Sequence, residues 1–219
     1  MNLPLRVDYY SDILCVWAWI AQRRIDELNT QLGDQIALKY HYLDVFGDAT
    51  NKIPTQWRDR DGFQGFAQHV QESAASYQDA PVNTDIWSKT RPTSSANPHL
   101  VLKAIELAYS SQHSTDLALK FRQAFFIEAI DISHLDTLLT ITQTMGLDRQ
   151  RITEAISDGS AMASLMQNYQ QARSLGLKGS PTYIIDNGRQ ILYGNVGYRV
   201  LLANIEEQLR QPADEASWC

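Results

Sequence analysis

The chain has 219 residues, 44% of them hydrophobic and 20% charged, with a net charge of −6 at pH 7. This composition is typical of a soluble globular protein with one core, or of a small domain carrying a large insertion. The acidic balance argues against nucleic-acid binding, which needs concentrated Lys and Arg. No apolar run approaches the roughly 20 residues that span a bilayer, so we expect no membrane association.

The N-terminal segment and the cysteine content indicate where the protein works. The first ten residues predict an alternating strand rather than a signal peptide, because no basic segment is followed by an apolar one. The two cysteines, Cys15 and Cys219, are too few for a disulfide framework. The five histidines lack the spacing of zinc ligands. We therefore expect a cytoplasmic protein without a metal or a tightly bound cofactor.

The hydrophobic pattern at both ends of the chain predicts one sheet. Residues 3–9 and 36–42 alternate as strands, and a helix over residues 16–32 joins them. Residues 183–185 and 191–193 flank a hairpin turn at residues 186–189, and a helix over about 198–209 follows. The sheet needs both ends of the chain, so residues 1–48 and 177–219 are expected to form one α/β domain.

The middle of the chain has helical periodicity from about residue 56 to residue 176. It predicts an all-helical insertion over residues 49–176, with a long loop over residues 81–98. Asn97 is expected to cap one helix, with Pro98 at its first position.

Two segments carry the candidate chemistry: Cys15-Val16-Trp17-Ala18 at a helix start, and Gly179-Ser180-Pro181-Thr182 before a strand. Unpaired N–H groups and the helix dipole lower the pKa of a thiol at a helix N-terminus. A proline leading a strand opposite such a thiol is the active-site pairing of the thioredoxin fold, where that proline is usually cis. Taken alone, the first segment has a buried core cysteine as its alternative interpretation. The second segment, taken alone, has an ordinary turn as its alternative.

Three longer segments resemble family motifs, in the same order along the chain. Residues 10–20 are similar to S-D-x-x-C-P-W-C-[YW]-I, residues 125–133 to F-x-x-x-x-D-I-S, and residues 171–182 to A-x-x-x-G-[VI]-x-G-[VS]-P-T-F. The chain thus resembles the DsbA-like thioredoxin-fold family, in the branch of FrnE-type oxidoreductases near 2-hydroxychromene-2-carboxylate isomerases and kappa-class glutathione transferases. The resemblance implies an α/β thioredoxin-like fold interrupted by a large all-helical insertion.

The resemblance also implies site roles, with two departures from the pattern. Cys15 is the expected nucleophile, and the expected substrate-binding residues are Val16, Trp17, Ala18, Ser180 and Pro181. Val16 replaces the usual proline, and Ala18 replaces the resolving cysteine. Alanine cannot attack a mixed disulfide, so release needs an external thiol such as glutathione. Cys219 is either a distant resolving thiol or an incidental terminal cysteine.

Four neighbouring residues carry weaker expectations. Trp17 is expected on the exposed rim of the site and Trp19 in the core. Asp12 is expected to be a solvated turn residue and His41 an ordinary strand histidine. His99, in a segment where relatives place residues facing the site, is expected mainly to belong to the helix cap.

Three functions fit these features. The first is a monothiol thiol–disulfide oxidoreductase that acts on small or protein disulfides, with glutathione as co-substrate. The second is a glutathione-dependent transferase or isomerase, although such relatives usually have serine at the nucleophile position and a Ser-Asp pair where this chain has residues 194–197. The third is a non-catalytic binding or chaperone-like module. The resemblance implies a monomer or a homodimer, and the enzymatic functions predict a lowered Cys15 pKa.

Overall fold

The structure of the protein is a computed structural model, and it describes residues 3–210. Its sheet has four strands in the order β2-β1-β3-β4. They are β1 (Leu5–Ser11), β2 (Ile36–Tyr42), β3 (Thr182–Ile185) and β4 (Gln190–Tyr193). β1 is parallel to β2 and antiparallel to β3, and β3 is antiparallel to β4. The two central strands therefore come from opposite ends of the chain, as the hydrophobic pattern predicted.

The helices follow the predicted order. They are α1 (Val16–Leu32), α2 (Ala49–Gln56), α3 (Gly62–Ala74), α4 (Ala96–Ala108), α5 (Ser111–Phe126), α6 (Leu135–Thr144), α7 (Arg149–Ser157), α8 (Ser160–Ser174) and α9 (Tyr198–Leu209). The predicted α/β sheet interrupted by a helical block is confirmed. None of the helices in residues 3–210 is long and apolar enough to cross a membrane.

The structure adds to the predicted insertion in one respect and differs from it in another. Within the insertion, the sequence patterns did not mark out α2 and α7 as separate helices, because these short helices bury few residues; α7 buries only Ile152. The predicted cap at Asn97 is wrong, since α4 begins at Ala96 after Ser95. The Ser95 hydroxyl does not cap the helix but donates a hydrogen bond to Asp12.

Three apolar clusters hold the sheet and the helical block, and two of them contain residues of α1. On one sheet face, Val7 and Tyr183 pack with residues of α1 and α9. The largest cluster joins α1 to the helices between β2 and β3, and Trp19 stacks on Phe126 with ring centroids 5.8 Å apart. The helical block thus packs directly on α1, the helix that follows Cys15. The division into residues 1–48 with 177–219 and residues 49–176 stays a prediction.

Candidate active site

Cys15 caps the N-terminus of α1. Its backbone is extended, with φ −80° and ψ 120°, and its carbonyl accepts the N–H groups of Ala18 and Trp19 at 3.1 and 3.0 Å. The side chain is only 6% exposed. Its thiol donates a hydrogen bond to the Ser180 carbonyl, with Sγ 3.2 Å from the oxygen. The structure therefore brings together the two segments that lie 165 positions apart in sequence.

The loop opposite the thiol is fixed by hydrogen bonds on both sides. The Ser180–Pro181 peptide bond is cis. The Asp12 N–H donates to Ser180 Oγ at 2.9 Å, and the Pro181 carbonyl accepts the Gly194 N–H at 2.8 Å. The thiol hydrogen bond thus joins Cys15 to the backbone edge directly before the cis proline.

The pKa of the Cys15 thiol is raised above its ordinary value, chiefly because the side chain is buried. Hydrogen bonds from the Ser180 hydroxyl and from the N–H groups of Ala18 and Trp17 lower the pKa of the thiol. The negative charge of Asp12 raises it further. The expectation of a lowered pKa is wrong for this structure, because burial outweighs the helix terminus. The thiol is therefore mainly protonated at neutral pH.

Asp12 is fully buried, so the expectation of a solvated turn residue is wrong. Its carboxylate accepts hydrogen bonds from the Leu14 N–H at 3.0 Å, the Phe46 N–H at 2.8 Å and the Ser95 hydroxyl at 2.8 Å. Burial raises its pKa to about 6. A carboxyl group that titrates near neutral pH thus lies three residues before the thiol.

His99 is also fully buried, and it supports the loop that precedes Cys15. Its Nε2 lies 3.1 Å from the Ile13 nitrogen and its Nδ1 lies 3.0 Å from the Tyr169 hydroxyl. Since Nε2 accepts the Ile13 N–H, the ring is neutral with its proton on Nδ1. Burial lowers the pKa of His99 to about 3. The expectation that His99 mainly belongs to the helix cap is therefore wrong.

Comparison with known proteins places this site in a family. A model of the DSBA-like thioredoxin domain matches residues 6–206. The chain belongs to the DsbA-like thioredoxin family. The family predicted from the three sequence motifs is thereby confirmed.

Known relatives of this DsbA-like chain have several roles. The ClpXP adapter protein SpxH of Halalkalibacterium halodurans is 22% identical over 95% of this chain and 71% of the relative. The cytosolic disulfide reductase DsbM of Pseudomonas aeruginosa has a TM-score of 0.71 and 19% identity, covering 94% of this chain and 100% of DsbM. A 2-hydroxychromene-2-carboxylate isomerase has a TM-score of 0.65 and 18% identity, covering 97% of this chain and 100% of the isomerase chain. At these identities the structural matches show a shared fold.

The remaining residues around the DsbA-like thiol lie as follows. Val16 and Ala18 are buried, and Trp17 is half-buried rather than exposed as expected. Trp19 is buried, as predicted, and its Nε1 donates to the Pro81 carbonyl at 3.1 Å. Ala18, where the family pattern has its second cysteine, is fully enclosed.

His41 does not belong to the DsbA-like site. Its Nε2 lies 2.6 Å from Asp8 Oδ1, and its ring stacks on Tyr10. It is an ordinary strand histidine, as predicted. Cys219 lies outside the described residues. Within residues 3–210, no three His, Cys, Asp or Glu side chains form a group that could hold a metal ion.

We expect His99 to make the fold sensitive to acid. Unfolded His99 binds a proton near pH 6.5, whereas the folded residue does so only near pH 3. The contribution of neutral His99 to the stability of the fold is therefore fully present above pH 6.5, and it is lost as the pH falls toward 3. Asp12 acts oppositely, because its raised pKa stabilises the fold as the pH falls below 6.

The His99→Gln variant separates these two contributions. It keeps Asp12 and offers an amide oxygen to the Ile13 N–H. The free energy of unfolding is measured with urea at pH 7 and at pH 4. Between these two pH values, the free energy of unfolding of the variant should rise on the order of 3 kcal/mol relative to that of wild type. If the free energy of unfolding changed equally with pH in the two proteins, the acid sensitivity assigned to His99 would be contradicted.

Proposed function

We propose that this chain is a thiol–disulfide oxidoreductase that uses a single nucleophilic cysteine, with glutathione as co-substrate. One observation carries the proposal: Cys15 Sγ lies 3.2 Å from the carbonyl of Ser180, directly before the cis peptide bond to Pro181. This arrangement places a sulfur nucleophile against a backbone edge that can align a second sulfur. The match to DsbM, a cytosolic disulfide reductase also known in a structure with glutathione, supports the substrate class and a cytoplasmic location.

The reaction that fits this site proceeds in two exchanges. The Cys15 thiol loses its proton to solvent, and the thiolate attacks one sulfur of a substrate disulfide. The substrate S–S bond breaks, one half leaves as a thiolate and takes a proton, and the other half stays bound to Cys15 as a mixed disulfide. A glutathione thiolate then attacks the substrate sulfur of the mixed disulfide, because Ala18 supplies no second thiol. The bond from that sulfur to Cys15 breaks, the substrate half leaves as a disulfide with glutathione, and the Cys15 thiolate takes up a proton.

The raised pKa of Cys15 affects both exchanges. At neutral pH the small thiolate fraction slows the first attack, although the thiolate that does form is more nucleophilic. In the mixed disulfide, Cys15 is a poor leaving group, since leaving thiols of lower pKa depart faster. We therefore propose slow exchange through a long-lived mixed disulfide, on a small thiol compound or a protein disulfide.

A glutathione transferase is less well supported by the structure. The stretch where such relatives have a Ser-Asp pair contains Asn195 instead of an acid. The Asn195 side chain accepts a hydrogen bond from Arg24 and donates one to the Tyr77 hydroxyl at 2.7 Å. No carboxylate there is available to bind the ammonium group of glutathione.

The test is formation of the glutathione adduct. The reduced Cys219→Ser protein is incubated with oxidised glutathione, and intact mass with peptide mapping locates the product. We expect one glutathione on Cys15, removed by excess reduced glutathione. Absence of an adduct even at pH 9, where more thiolate is present, would overturn the proposal and favour a non-catalytic binding module.

The Ala18→Cys variant should change how the mixed disulfide is resolved. The new sulfur lies one helical turn from Cys15, within the spacing that a disulfide bridges. We expect the glutathione adduct to decay at least about tenfold faster, with the two cysteines forming an internal disulfide. Mass spectrometry over time follows the decay, and Ala18→Ser is the control for added volume at this enclosed position. An adduct equally persistent in both variants would contradict the prediction.

A further inference from the structure

The turn that precedes Cys15 is held by residues from three parts of the chain. The Asp12 N–H donates to Ser180 Oγ, in the loop before β3, at 2.9 Å. The Ile13 N–H donates to His99 Nε2 of α4 at 3.1 Å. Within the turn, the Cys15 N–H donates to the Asp12 carbonyl at 3.1 Å. The conformation that presents the thiol therefore depends on the helical block as well as on the turn itself.

The Asp12 carboxylate, in the same turn, accepts three hydrogen bonds. Two donors are the backbone N–H groups of Leu14 and Phe46, at 3.0 and 2.8 Å, and these do not depend on the side chains at those positions. The third donor is the Ser95 hydroxyl, whose Oγ lies 2.8 Å from Asp12 Oδ2. Among the residues that the structure describes, Ser95 is thus the only side chain that donates a hydrogen bond to this carboxylate.

Ser95 lies at a position where a serine ordinarily stabilises its own helix. It directly precedes α4, and a serine at this N-cap position usually accepts an N–H group of the first helical turn. The Ser95 side chain makes no such hydrogen bond. It is fully buried and donates instead to Asp12, 83 positions away in sequence. The hydroxyl therefore stabilises a carboxylate beside the thiol rather than the helix that it precedes.

Asp12 is the group in this cluster whose charge changes near neutral pH. Burial raises its pKa to about 6, while the hydrogen bond from Ser95 and the positive charge of Lys52 lower it. The His99 ring, 3.9 Å from the carboxylate, stays neutral above pH 5 because burial lowers its pKa to about 3. The pKa of the Tyr169 hydroxyl is raised, chiefly by burial, so this group is neutral as well. A change in the strength of the Ser95 hydrogen bond therefore acts first on the charge of Asp12.

We propose that Ser95 is a positioning residue through which the helical block controls the reactivity of Cys15, because its hydroxyl holds the Asp12 carboxylate in its ionised form. The negative charge of Asp12 in turn keeps the thiol protonated. Without the hydroxyl, the carboxylate takes up a proton more readily, and its effect on the thiol is lost near neutral pH. The proposal rests on the proposed function of Cys15 as the nucleophile, and it names the residue that regulates this site.

The test compares the rates of Cys15 alkylation by iodoacetamide in wild type and Ser95→Ala at pH 5, 7 and 9, both in a Cys219→Ser background. Removal of the hydroxyl raises the pKa of Asp12, so at pH 7 more of the variant has a neutral carboxyl group. We expect the variant to react about twofold faster or more at pH 7. The carboxyl group is mainly protonated in both proteins at pH 5 and mainly ionised in both at pH 9, so the two rates should agree there.

Further variants separate this effect from a loss of structure. In the Asp12→Asn background, Ser95→Ala should not change the rate at pH 7, because no carboxylate charge remains. Ser114→Ala is the matched control, since it also removes a buried serine hydroxyl, which donates to the Leu102 carbonyl at 2.8 Å. This control should react as wild type does at all three pH values. Circular dichroism verifies the fold of each variant, and Ser95→Gly, tolerated at a helix N-cap, repeats the test if the alanine variant is unfolded.

The pH dependence decides between a positioning role and a purely structural role of Ser95. An equal change in rate at all three pH values, or the same change in the Asp12→Asn background, would overturn the proposal, because Ser95 would then only support the fold. An unchanged rate at pH 7 would overturn it as well. Iodoacetamide reacts with the Cys15 thiolate without glutathione, so these outcomes are independent of the glutathione adduct that tests the proposed function.

Discussion

The Cys15→Ser variant should lose disulfide exchange while keeping the fold. The thiolate is the nucleophile in this chemistry, and a serine hydroxyl cannot form a disulfide. We expect glutathione-dependent reduction of a disulfide to fall at least about a thousandfold, to the rate without protein. Serine can donate the same hydrogen bond to the Ser180 carbonyl, so the melting temperature should stay within about 3 °C of wild type.

The matched control for this variant is Cys219→Ser. It removes the other cysteine of the chain and should retain the activity and the mixed disulfide. Equal losses in both variants would indicate that the two thiols work together. Undiminished exchange in Cys15→Ser would show that the sulfur at the start of α1 is not the nucleophile, whatever the fold resembles.

The sequence predicted the sheet and the pairing of Cys15 with Pro181 because both depend on local patterns and chain order. The alternation over β1 and β2 and the turn between β3 and β4 each lie within about ten residues. The bounds of α1 were correct, because Leu32 ends its apolar stripe and Gly33, at φ 48°, follows it. Once β1 and β3 are neighbours, a thiol after β1 and a proline before β3 must meet.

The sequence did not predict the electrostatics of the site, which depend on distant residues. Asp12 followed by a helix start resembles an ordinary exposed turn. Its burial depends on Phe46 and Ser95, which lie 34 and 83 positions away. The pKa of Cys15 was likewise mispredicted, because the helix terminus is visible in the sequence and the burial of the thiol is not. His99 contacts Ile13 across 86 positions, which no local pattern records.

The Asp12→Asn variant should lower the pKa of Cys15 and change how stability depends on pH. In wild type the charge of Asp12 raises the pKa of the thiol. Removing that charge should shift the pH midpoint of Cys15 alkylation by iodoacetamide downward and speed alkylation at pH 7. Measurements in a Cys219→Ser background ensure that only one thiol reacts.

The effect of Asp12→Asn on stability has a definite sign. Folded Asp12 binds its proton near pH 6, whereas the unfolded residue does so near 3.8. The Asp12 carboxyl should therefore add about 2 kcal/mol to the free energy of unfolding as the pH falls from 7 to 4, and Asp12→Asn should lose that amount relative to wild type. This is opposite to the effect of His99→Gln, although the Asp12 carboxylate and the His99 ring lie 3.9 Å apart.

Asp44→Asn is the control for Asp12→Asn, because Asp44 is an exposed carboxylate paired with Arg173 at the surface. It should leave the pH midpoint of Cys15 alkylation unchanged. An unchanged midpoint in Asp12→Asn, together with the expected stability curve, would mean that burial alone raises the pKa of the thiol. The slow exchange proposed for Cys15 would then follow from the enclosure of the thiol rather than from the neighbouring charge.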